Sequence, residues 1–459
     1  MVRLVRLVGN EDPRATVSEA RQCAYRVVRR VSDGEAFADR AFRGEADRIG
    51  LGGRDRAFAQ QLAYGTVQRT GTLDYVLTAV SSRPIESIDP ALRDILRLGV
   101  FQLVYLGGVP DHAAVSQTVE LAKLEAGRGH RFANALMRHA AREGRELVGE
   151  LTDGSPAEAA ILHSHPEWLA RLWWDALGSS EALALLEHDN HAPENAVRAN
   201  ELLVTPAKLR ELLAAQGVRT RQPDGIPEAV VLESPFDLHG SDLFERGALM
   251  PQSRGSMLVG HSLAPRPGER VLDLCAAPGA KTTHLAALMR GRGELVAVER
   301  HSGRSDALRR NCARMGAGWV DVRTAEAGSV DLGGQLFDRV LLDPPCSDLG
   351  TLQSRPDVRW RKTPAMIEEL TVAQRRLLDA AAARVRPGGT LVYSTCTISP
   401  RENERLVEQF AAARPDFELD DLGSELPQYR HPSARRFLQV LPHRHGTDGF
   451  FIARLRRAS

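Results

Sequence analysis

The sequence predicts an α/β protein in which a parallel-sheet domain follows an all-α helical bundle and a small α+β linker subdomain. Three observations support this prediction. Residues 14–143 read almost throughout as amphipathic helices, residues 144–235 mix helices with short apolar runs, and residues 236–459 alternate strand-like runs with helical segments. Such alternation is typical of a parallel sheet covered by helices on both faces. A chain of 459 residues is long enough for two or three domains.

The first predicted domain, residues 14–143, is assigned from helical periodicity. Apolar residues recur at positions three and four apart, so each helix has one stripe to bury. This spacing is seen at Leu92, Ile95, Leu96 and Gly99, and again at Val115, Val119 and Ala122. Turn-like breaks rich in glycine, serine and proline separate the helices at residues 50–53, 81–84 and 107–110.

The middle region, residues 144–235, has a less regular pattern. It opens with helical segments around Trp168, Trp173 and Trp174 and becomes irregular after Asn190. A helix near residues 206–216 then precedes a short apolar run at residues 229–232. These features indicate a helical linker followed by a small α+β subdomain.

The third domain, residues 236–459, contains apolar runs that predict strands, with helices between them at Ser302–Met315 and Pro364–Val385. The predicted strands are Arg270–Leu274, Glu294–Glu299, Trp319–Val322, Phe337–Leu342, Thr390–Ser394 and Phe450–Arg454. Right-handed crossovers place the carboxyl ends of parallel strands at one edge of the sheet. Open α/β sheets bind their ligands at that edge.

Composition limits the class of protein. No run of about 18 apolar residues is present, and the first residues lack the apolar core of a signal peptide, so we expect a cytoplasmic protein without membrane contact. The five cysteines are scattered and contain no Cys-x-x-Cys pair, which argues against a disulfide framework and a metal site. The 60 basic and 59 acidic residues nearly cancel, so net charge neither supports nor excludes nucleic acid binding.

A candidate cofactor loop follows the first predicted strand of the third domain. The strand reaches Asp273, a turn of small residues follows, and a helix begins near Lys281. Small residues let backbone amides approach a ligand, and the helix N-terminus favours an anionic group. Glu299 ends the next strand, where an acidic residue can bind ribose hydroxyls. The loop is neither Gly-x-Gly-x-x-Gly nor a phosphate-binding loop.

Two cysteines lie where predicted strands end. Cys346 follows Asp343 and two prolines, and Cys396 follows Ser394 and Thr395. A thiolate that adds to carbon 6 of cytosine makes carbon 5 nucleophilic enough to take a methyl group from a sulfonium, and a neighbouring carboxylate can hold the ring nitrogen. This pattern therefore points to covalent cytosine methylation. It leaves open which of the two thiols attacks.

Five stretches together resemble the RNA cytosine-5 methyltransferases of the RsmB (Sun or Fmu) family, which use a Rossmann-like fold. They are Leu272–His284, Asp343–Ser347, Arg355–Trp360, Tyr393–Thr397 and Gly446–Phe451. The bundle resembles the NusB-like RNA-binding domain of that family through Asp55–Phe58, Leu96–Gly99, Val109–Val115 and Phe132–Asn134. The resemblance covers nearly the whole chain and implies a monomeric enzyme that acts on 16S rRNA.

The resemblance also implies roles for individual residues. Cys396 is expected to be the nucleophile, Cys346 to assist product release, and Asp343 to lie between cofactor and base. Glu299 is expected to bind the ribose of S-adenosylmethionine, and Glu326 its adenine side. The residues expected to cradle its methionine part are Cys275, Ala276, Ala277, Pro278, Gly279, Ala280 and Lys281.

A basic run with one aromatic residue follows Cys346 and suggests an RNA-binding surface. Its members are Arg355, Arg359, Trp360, Arg361 and Lys362. Positive charge beside a stacking surface suits single-stranded RNA, and a target base has to leave any helix to be methylated. The alternative is a solvated basic face with Trp360 packed in the core.

Three other functions fit parts of the sequence. An amino-group methyltransferase would place an aromatic residue after the Asp-Pro-Pro motif, where this chain has Cys346. A related enzyme could modify tRNA or 23S rRNA, and only the NusB-like bundle argues for 16S rRNA. A non-catalytic RNA-binding scaffold would be expected to have lost the thiols or the loop, and this chain has both.

Overall fold

The structure, a computed structural model, describes residues 17–459 apart from the side chain of Arg128. Residues 14–16 of the predicted bundle therefore lie outside the described residues. The chain divides into two compact units: one ends at His191 and also includes Arg355–Arg361, and the other contains Ala192–Ser354 and Lys362–Ser459. The division falls inside the predicted middle region 144–235, so that its helical half belongs to the first unit and its β half to the second.

The first unit is entirely helical over the residues described. Its helices are Glu19–Ser32, Ala38–Ile49, Gly53–Gln68, Thr70–Val80, Pro90–Tyr105, Asp111–Glu125, His130–Gly149, Pro156–Leu162, Glu167–Leu177, Ser179–His188 and Val358–Arg361. The helix Pro90–Tyr105 starts where Asp89 accepts a hydrogen bond from the Leu92 backbone amide and Pro90 takes the first turn. It lies in the centre of the bundle, and its predicted stripe is buried.

Close helix packing explains one glycine of this bundle. A Cβ atom at Gly99 would lie 2.6 Å from Thr118 Oγ1 and 2.7 Å from Met137 Cε. The helices Asp111–Glu125 and His130–Gly149 therefore approach the central helix at a point where only hydrogen fits. Larger residues at position 99 would force these helices apart.

The second unit begins with a small antiparallel sheet. Its strands are β1 (Ala196–Ala199), β2 (Thr220–Arg221), β3 (Ala229–Leu232) and β4 (Leu249–Pro251), in the order β2-β3-β1-β4. The apolar run predicted at residues 229–232 is the buried strand β3. The short strands β1 and β4 were not predicted.

A larger sheet forms the rest of the second unit. Its strands are β5 (Arg270–Leu274), β6 (Glu294–Glu299), β7 (Asp321–Thr324), β8 (Phe337–Leu342), β9 (Val385–Thr395), β10 (Phe417–Leu419), β11 (Leu438–Val440) and β12 (Phe450–Arg457). The main order is β10-β12-β9-β8-β5-β6-β7, and β11 pairs with β12. Strands β5 to β9 pair in parallel, as predicted. The prediction that residues 450–454 join this parallel set is wrong, because β12 runs antiparallel to β9.

The parallel strands bring the predicted site to one edge of the sheet. Leu274 lies in register with Leu342, and Leu342 with Tyr393, so β5, β8 and β9 end side by side. Helices flank the larger sheet at Arg254–Leu263, Ala280–Leu288, Ser302–Arg314, Pro364–Ala382, Glu404–Ala413, Leu422–Glu425 and Pro442–His445, while Pro206–Ala215 and Asp242–Glu245 contact the small sheet. Among the residues described, we find no helix with both the length and the apolar character needed to cross a bilayer.

Candidate active site

The loop after β5 turns sharply into the helix Ala280–Leu288. Cys275 has a φ of 63°, and Gly279 has a φ of 105°, which glycine adopts without strain. A Cβ atom at Gly279 would also lie 2.7 Å from Leu308 Cδ1. The loop thus packs against the next helix and leaves a small cleft over residues 275–281.

Carboxylates surround this cleft. Thr282 Oγ1 donates to Asp273 Oδ2 over 2.6 Å, while Asp273 Oδ1 is buried without a hydrogen-bond partner among the described residues. Burial raises the pKa of Asp273 to about 7. Glu299 Oε1 accepts a hydrogen bond from the His301 backbone amide, and Arg304 Nε lies 3.5 Å from Glu299 Oε2. Acceptors beside a loop of small residues suit a ligand that carries hydroxyl and ammonium donors.

Glu326 lies beyond this cleft, just after β7. The Ala325 backbone amide donates to the Glu299 carbonyl, which connects the ends of β6 and β7. The Glu326 side chain is 62% exposed, and its Oε1 lies 3.9 Å from an Arg300 guanidinium nitrogen. The structure therefore places Glu326 next to the Glu299 loop, on the surface.

Asp343 connects the cofactor loop to the strand that leads to Cys396. Its Oδ2 accepts a hydrogen bond from Lys281 Nζ over 2.7 Å, and its Oδ1 accepts one from Ser394 Oγ over 2.8 Å. Burial lowers the pKa of Lys281, but Asp343 outweighs this effect and the pKa is raised overall. The ion pair thus holds the carboxylate where the ends of β5, β8 and β9 meet.

The two thiols lie together at this edge. Cys346 Sγ is 3.3 Å from Cys396 Sγ. Asp348 is close to both: the Cys396 thiol donates to Asp348 Oδ1 over 3.1 Å, and Cys346 Sγ lies 3.8 Å from the same oxygen. Lys362 Nζ lies 3.7 Å from Asp348 Oδ2. The two thiols come from distant stretches of the sequence, each at a predicted strand end, and they lie side by side in the structure.

Both thiols are neutral in these surroundings. The hydrogen bond with Cys346, burial and the negative charges of Asp348 and Asp343 raise the pKa of Cys396 well above its usual range. The hydrogen bond from Cys396 lowers the pKa of Cys346, but burial and nearby carboxylates outweigh it, so this pKa is also raised. A thiol in this state needs a base to become a nucleophile.

A buried polar network fixes the loop of Cys346. The Glu402 carboxylate accepts hydrogen bonds from the Ser347 backbone amide over 2.8 Å and from Gln374 Nε2 over 3.0 Å, and it also accepts from Ser347 Oγ. The Tyr393 hydroxyl donates to the Glu402 carbonyl over 2.7 Å. Ser347 Oγ lies 2.6 Å from Thr397 Oγ1, so the network reaches the residues on both sides of Cys396.

Two glycines let the loops of the thiols approach each other. The Gly350 backbone amide donates to the Cys396 carbonyl over 2.9 Å, and the Gly449 backbone amide donates to the Gly350 carbonyl over 2.7 Å. A Cβ atom at Gly350 would clash first with the Gly449 carbonyl, whose carbon would lie 2.8 Å away, and would also lie 2.9 Å from the Cys396 carbonyl oxygen. This contact accounts for the glycine-containing stretch 446–451, whose role the sequence did not reveal.

The residues of the predicted RNA surface lie in different surroundings. Arg355 is exposed, whereas the Arg359 side chain is fully buried in the helical unit. Arg359 donates to the carbonyls of Ser164 and Asp189 and to Asn190 Oδ1 over 3.0–3.1 Å. The two terminal nitrogens of its guanidinium are therefore bound by protein acceptors, and its placement does not support an RNA contact.

Its neighbours also face the protein. Trp360 Nε1 donates to the Val67 carbonyl over 2.7 Å, and the ring packs against the core of the helical unit. Arg361 donates to the Ala36 carbonyl and lies 3.2 Å from Asp357. These placements match the alternative in which Trp360 is packed in the core.

Sequence reasoning missed Asp348 and Glu402. Asp348 lies two residues after Cys346, but nothing in the spacing shows that its carboxylate turns toward Cys396. Glu402 lies six residues after Cys396, where it reads as an ordinary acidic residue of a helix start. What marks Glu402 as important is that its carboxylate is buried between two polar loops, and burial cannot be read from the sequence.

Comparison with known proteins identifies the parts of the chain. The family model described as 16S rRNA methyltransferase RsmB/F matches residues 260–456, and that of the NusB family matches residues 18–142. A ferredoxin-like domain of RsmF/B-like methyltransferases matches residues 165–239. The predicted fold class, a NusB-like bundle before a Rossmann-like methyltransferase domain, is therefore confirmed.

One relative and two solved structures extend this similarity over most of the chain. The chain is 33% identical to the probable ribosomal RNA small subunit methyltransferase B of Bacillus subtilis, over 96% of this chain and 99% of that protein. The crystal structure of PH0851 covers 96% of this chain and 100% of its own, with a TM-score of 0.81 and 26% identity. NSun6 from Pyrococcus horikoshii, solved with SFG, covers 65% of this chain and 100% of its own, with a TM-score of 0.59 and 24% identity.

Proposed function

This chain belongs to the RsmB/F family of 16S rRNA methyltransferases, and on that premise we propose that it methylates carbon 5 of a cytosine in 16S rRNA through a covalent cysteine–RNA intermediate. The observation that supports this most is the pair of thiols 3.3 Å apart, beside Asp343 and the cofactor loop. A methyltransferase that modifies an amino group has no use for two thiols at the reacting edge.

The residues of the loop fit S-adenosylmethionine as the methyl donor. The loop 275–281 provides backbone amides and room for the methionine part, Glu299 provides a carboxylate for the ribose hydroxyls, and Glu326 lies on the adenine side. The unpaired oxygen of buried Asp273 is an acceptor that a bound ligand would satisfy. When bound, S-adenosylmethionine supplies an electrophilic methyl group on a sulfonium.

The proposed reaction begins with Cys396. Its sulfur forms a bond to carbon 6 of the flipped cytosine, and the carbon 5–carbon 6 π electrons move toward the ring nitrogen. We assign Asp343, held by Lys281 and Ser394, to bind the amino group and that nitrogen, which takes up a proton from solvent as the electrons reach it. Carbon 5 then takes the methyl group. Loss of the carbon 5 proton and cleavage of the sulfur–carbon 6 bond release the product.

Cys346 acts in the release of the RNA. It lies next to the attacking sulfur, and Glu402 holds its loop through Ser347. Cys346 is buried and Cys396 is partly buried, which limits the access of water to the covalent intermediate. We assign the helical NusB-like unit and the exposed Arg355 to RNA binding, and we propose that the enzyme acts as a monomer in the cytoplasm.

The test is methyl transfer to unmodified 16S rRNA with labelled S-adenosylmethionine, with tRNA and 23S rRNA as competing substrates. Label is expected at carbon 5 of cytosine in 16S rRNA, and label on an exocyclic nitrogen would contradict the proposal. Cys396→Ala should abolish transfer, and Cys346→Ala should accumulate a protein–RNA adduct. Cys312→Ala is the matched control, because Cys312 is a buried cysteine of the helix Ser302–Arg314. Retained transfer in Cys396→Ala would move the nucleophile to Cys346.

A further inference from the structure

Asp348 has an unusual backbone conformation beside the thiols. Its φ is 60°, a left-handed conformation that is uncommon for a non-glycine residue. This conformation turns the carboxylate toward Cys396 Sγ, at 3.1 Å, and Cys346 Sγ, at 3.8 Å. The Gly350 contact with the Cys396 carbonyl holds the same loop in place. Such strain is retained where the surrounding structure fixes it, and it often marks a functional group.

We propose that the Asp348 carboxylate is the general base that takes the proton from the Cys396 thiol as its sulfur attacks carbon 6. The inference rests on the proposed function. In this step the sulfur–hydrogen bond breaks, its electron pair forms the sulfur–carbon 6 bond, and the proton moves to Asp348 Oδ1. The π electrons of carbon 5 and carbon 6 shift toward the ring nitrogen, which takes up a proton from solvent, donates it to Asp343 in a hydrogen bond, and loses it again when the product forms. When the sulfur–carbon 6 bond breaks, the proton on Asp348 returns to the Cys396 sulfur, and the carbon 5 proton is the one lost to solvent.

The surroundings of Cys396 explain why a base is needed. Cys346, Asp348 and Asp343 all face the thiol, and with burial they disfavour the thiolate. Lys281 is the nearby cation on the cofactor helix, but its ammonium is paired with Asp343 at 2.7 Å. Because the resting thiol stays protonated, deprotonation has to accompany attack.

Asp348 is better placed for this task than the other carboxylates. Asp343 already accepts hydrogen bonds at both oxygens, from Lys281 and Ser394. Glu402 is bound to the Ser347 backbone and to Gln374. Asp348 Oδ1 instead accepts directly from the thiol, while Lys362 Nζ lies 3.7 Å from the opposite oxygen and offsets its charge.

The structure provides two informative variants. Asp348→Gly removes the carboxylate and relieves the left-handed strain, so the fold should be retained. Asp348→Asn keeps the shape but cannot accept the proton. Binding of S-adenosylmethionine and the thermal unfolding midpoint should match the wild type for Asp348→Gly, and they serve as the controls for folding.

The experiment measures single-turnover methylation against pH, with a chelator present because two thiols and a carboxylate can bind a thiophilic cation. For both variants the rate at pH 7 should fall about 10²–10⁴-fold, and it should rise with pH more steeply than in the wild type. Formate should restore part of the Asp348→Gly rate in a saturable way. The resting Cys396 thiol should react with iodoacetamide faster than in the wild type, because a neighbouring negative charge is gone.

The outcomes separate the two proposals. If the wild type does not methylate cytosine, the proposed function fails. If the wild type is active and Asp348→Gly keeps its rate within threefold and its pH profile, the role of Asp348 is refuted and the function stands. A loss of activity that neither higher pH nor formate restores also refutes the role, because it indicates a structural effect.

Discussion

Glu402 allows a direct test of how the loop of Cys346 is held in place. The carboxylate is fully buried and accepts from the Ser347 backbone amide and Gln374 Nε2. In Glu402→Ala, Gln374 keeps its hydrogen bond to the Pro345 carbonyl, and Ser347 Oγ keeps Thr397. Gln374 loses one of its two Nε2 hydrogen bonds, and the Ser347 amide is the backbone donor left without a partner.

The expected cost follows from that orphaned amide. An unsatisfied buried donor costs about 1–3 kcal/mol, and the space left by the missing atoms adds roughly 1 kcal/mol. Glu402→Ala should therefore lower the free energy of unfolding by about 3 kcal/mol. Glu402→Gln keeps an acceptor for the Ser347 amide, and its amide can donate to Ser347 Oγ. It should remain within about 1 kcal/mol of the wild type.

The pH dependence of stability distinguishes the protonated from the ionised Glu402 carboxyl. Burial raises the pKa of Glu402, so the folded protein keeps this proton to a higher pH than the unfolded chain. The stability from this group is complete below the unfolded pKa of about 4.3 and is lost as the pH rises through the folded pKa. Glu402→Gln has no such loss, so its stability relative to the wild type should increase with pH across this window.

The assay is urea unfolding, read at the transition that S-adenosylmethionine shifts, because ligand binding marks the unfolding of the unit that holds it. Methyl transfer and cofactor affinity are measured in parallel. Glu402→Ala should lose most transfer while cofactor affinity is unchanged, since the loop 275–281 is outside this network. If Glu402→Ala unfolds within 1 kcal/mol of the wild type and transfers methyl groups at the wild-type rate, the reasoning is refuted.

Three further predictions concern other groups. Burial raises the pKa of Asp273 to about 7, so the stability that this group contributes is lost as the pH rises from about 4 to 7. In Asp273→Asn, the unfolding temperature should therefore change less with pH over this range than in the wild type. Arg359→Met should destabilise the helical unit by about 3 kcal/mol or more without changing the salt dependence of RNA binding. Arg355→Ala should instead reduce that salt slope by about 1. Gly350→Ala should reduce methyl transfer strongly, because its Cβ would lie 2.9 Å from the Cys396 carbonyl oxygen. Gly303→Ala is the control: no atom lies within 4 Å of its Cβ, so transfer should be unchanged.

The sequence predicted most of the parallel sheet because β5, β6, β8 and β9 contain apolar runs between helices. The strand β7 is largely polar and starts two residues after the start of the predicted run Trp319–Val322. The sequence did not predict β1, β4, β10 and β11, which are three or four residues long and carry no period that separates them from loops. The apolar pattern also did not predict that β12 runs antiparallel to β9. Residues between β9 and β12 do not return as a single crossover, because β10 and β11 intervene and pair with β12.

The helix Asp111–Glu125 shows why an apolar stripe can be assigned to the wrong face. The sequence predicted that Val115, Val119 and Ala122 are buried; Ala122 is buried, whereas Val115 and Val119 are only partly buried. The buried face carries Gln117 and Thr118 instead. Gln117 Oε1 accepts from the Ser18 backbone amide, and Thr118 Oγ1 donates to the Ala114 carbonyl. Polar residues with such partners can occupy a core position, and the partners are unknown until the fold is known.

The basic run after Cys346 shows the same limit for function. The four basic residues of this run look alike in the sequence, but their side chains have different surroundings in the structure. Arg359 is bound by backbone carbonyls of the helical unit, and Lys362 lies beside Asp348, whereas Arg355 remains exposed. Charge in a sequence indicates what a side chain could bind, but burial decides what it does bind. The run therefore serves the fold at Arg359 and the thiol site at Lys362, and of these three side chains only that of Arg355 is exposed.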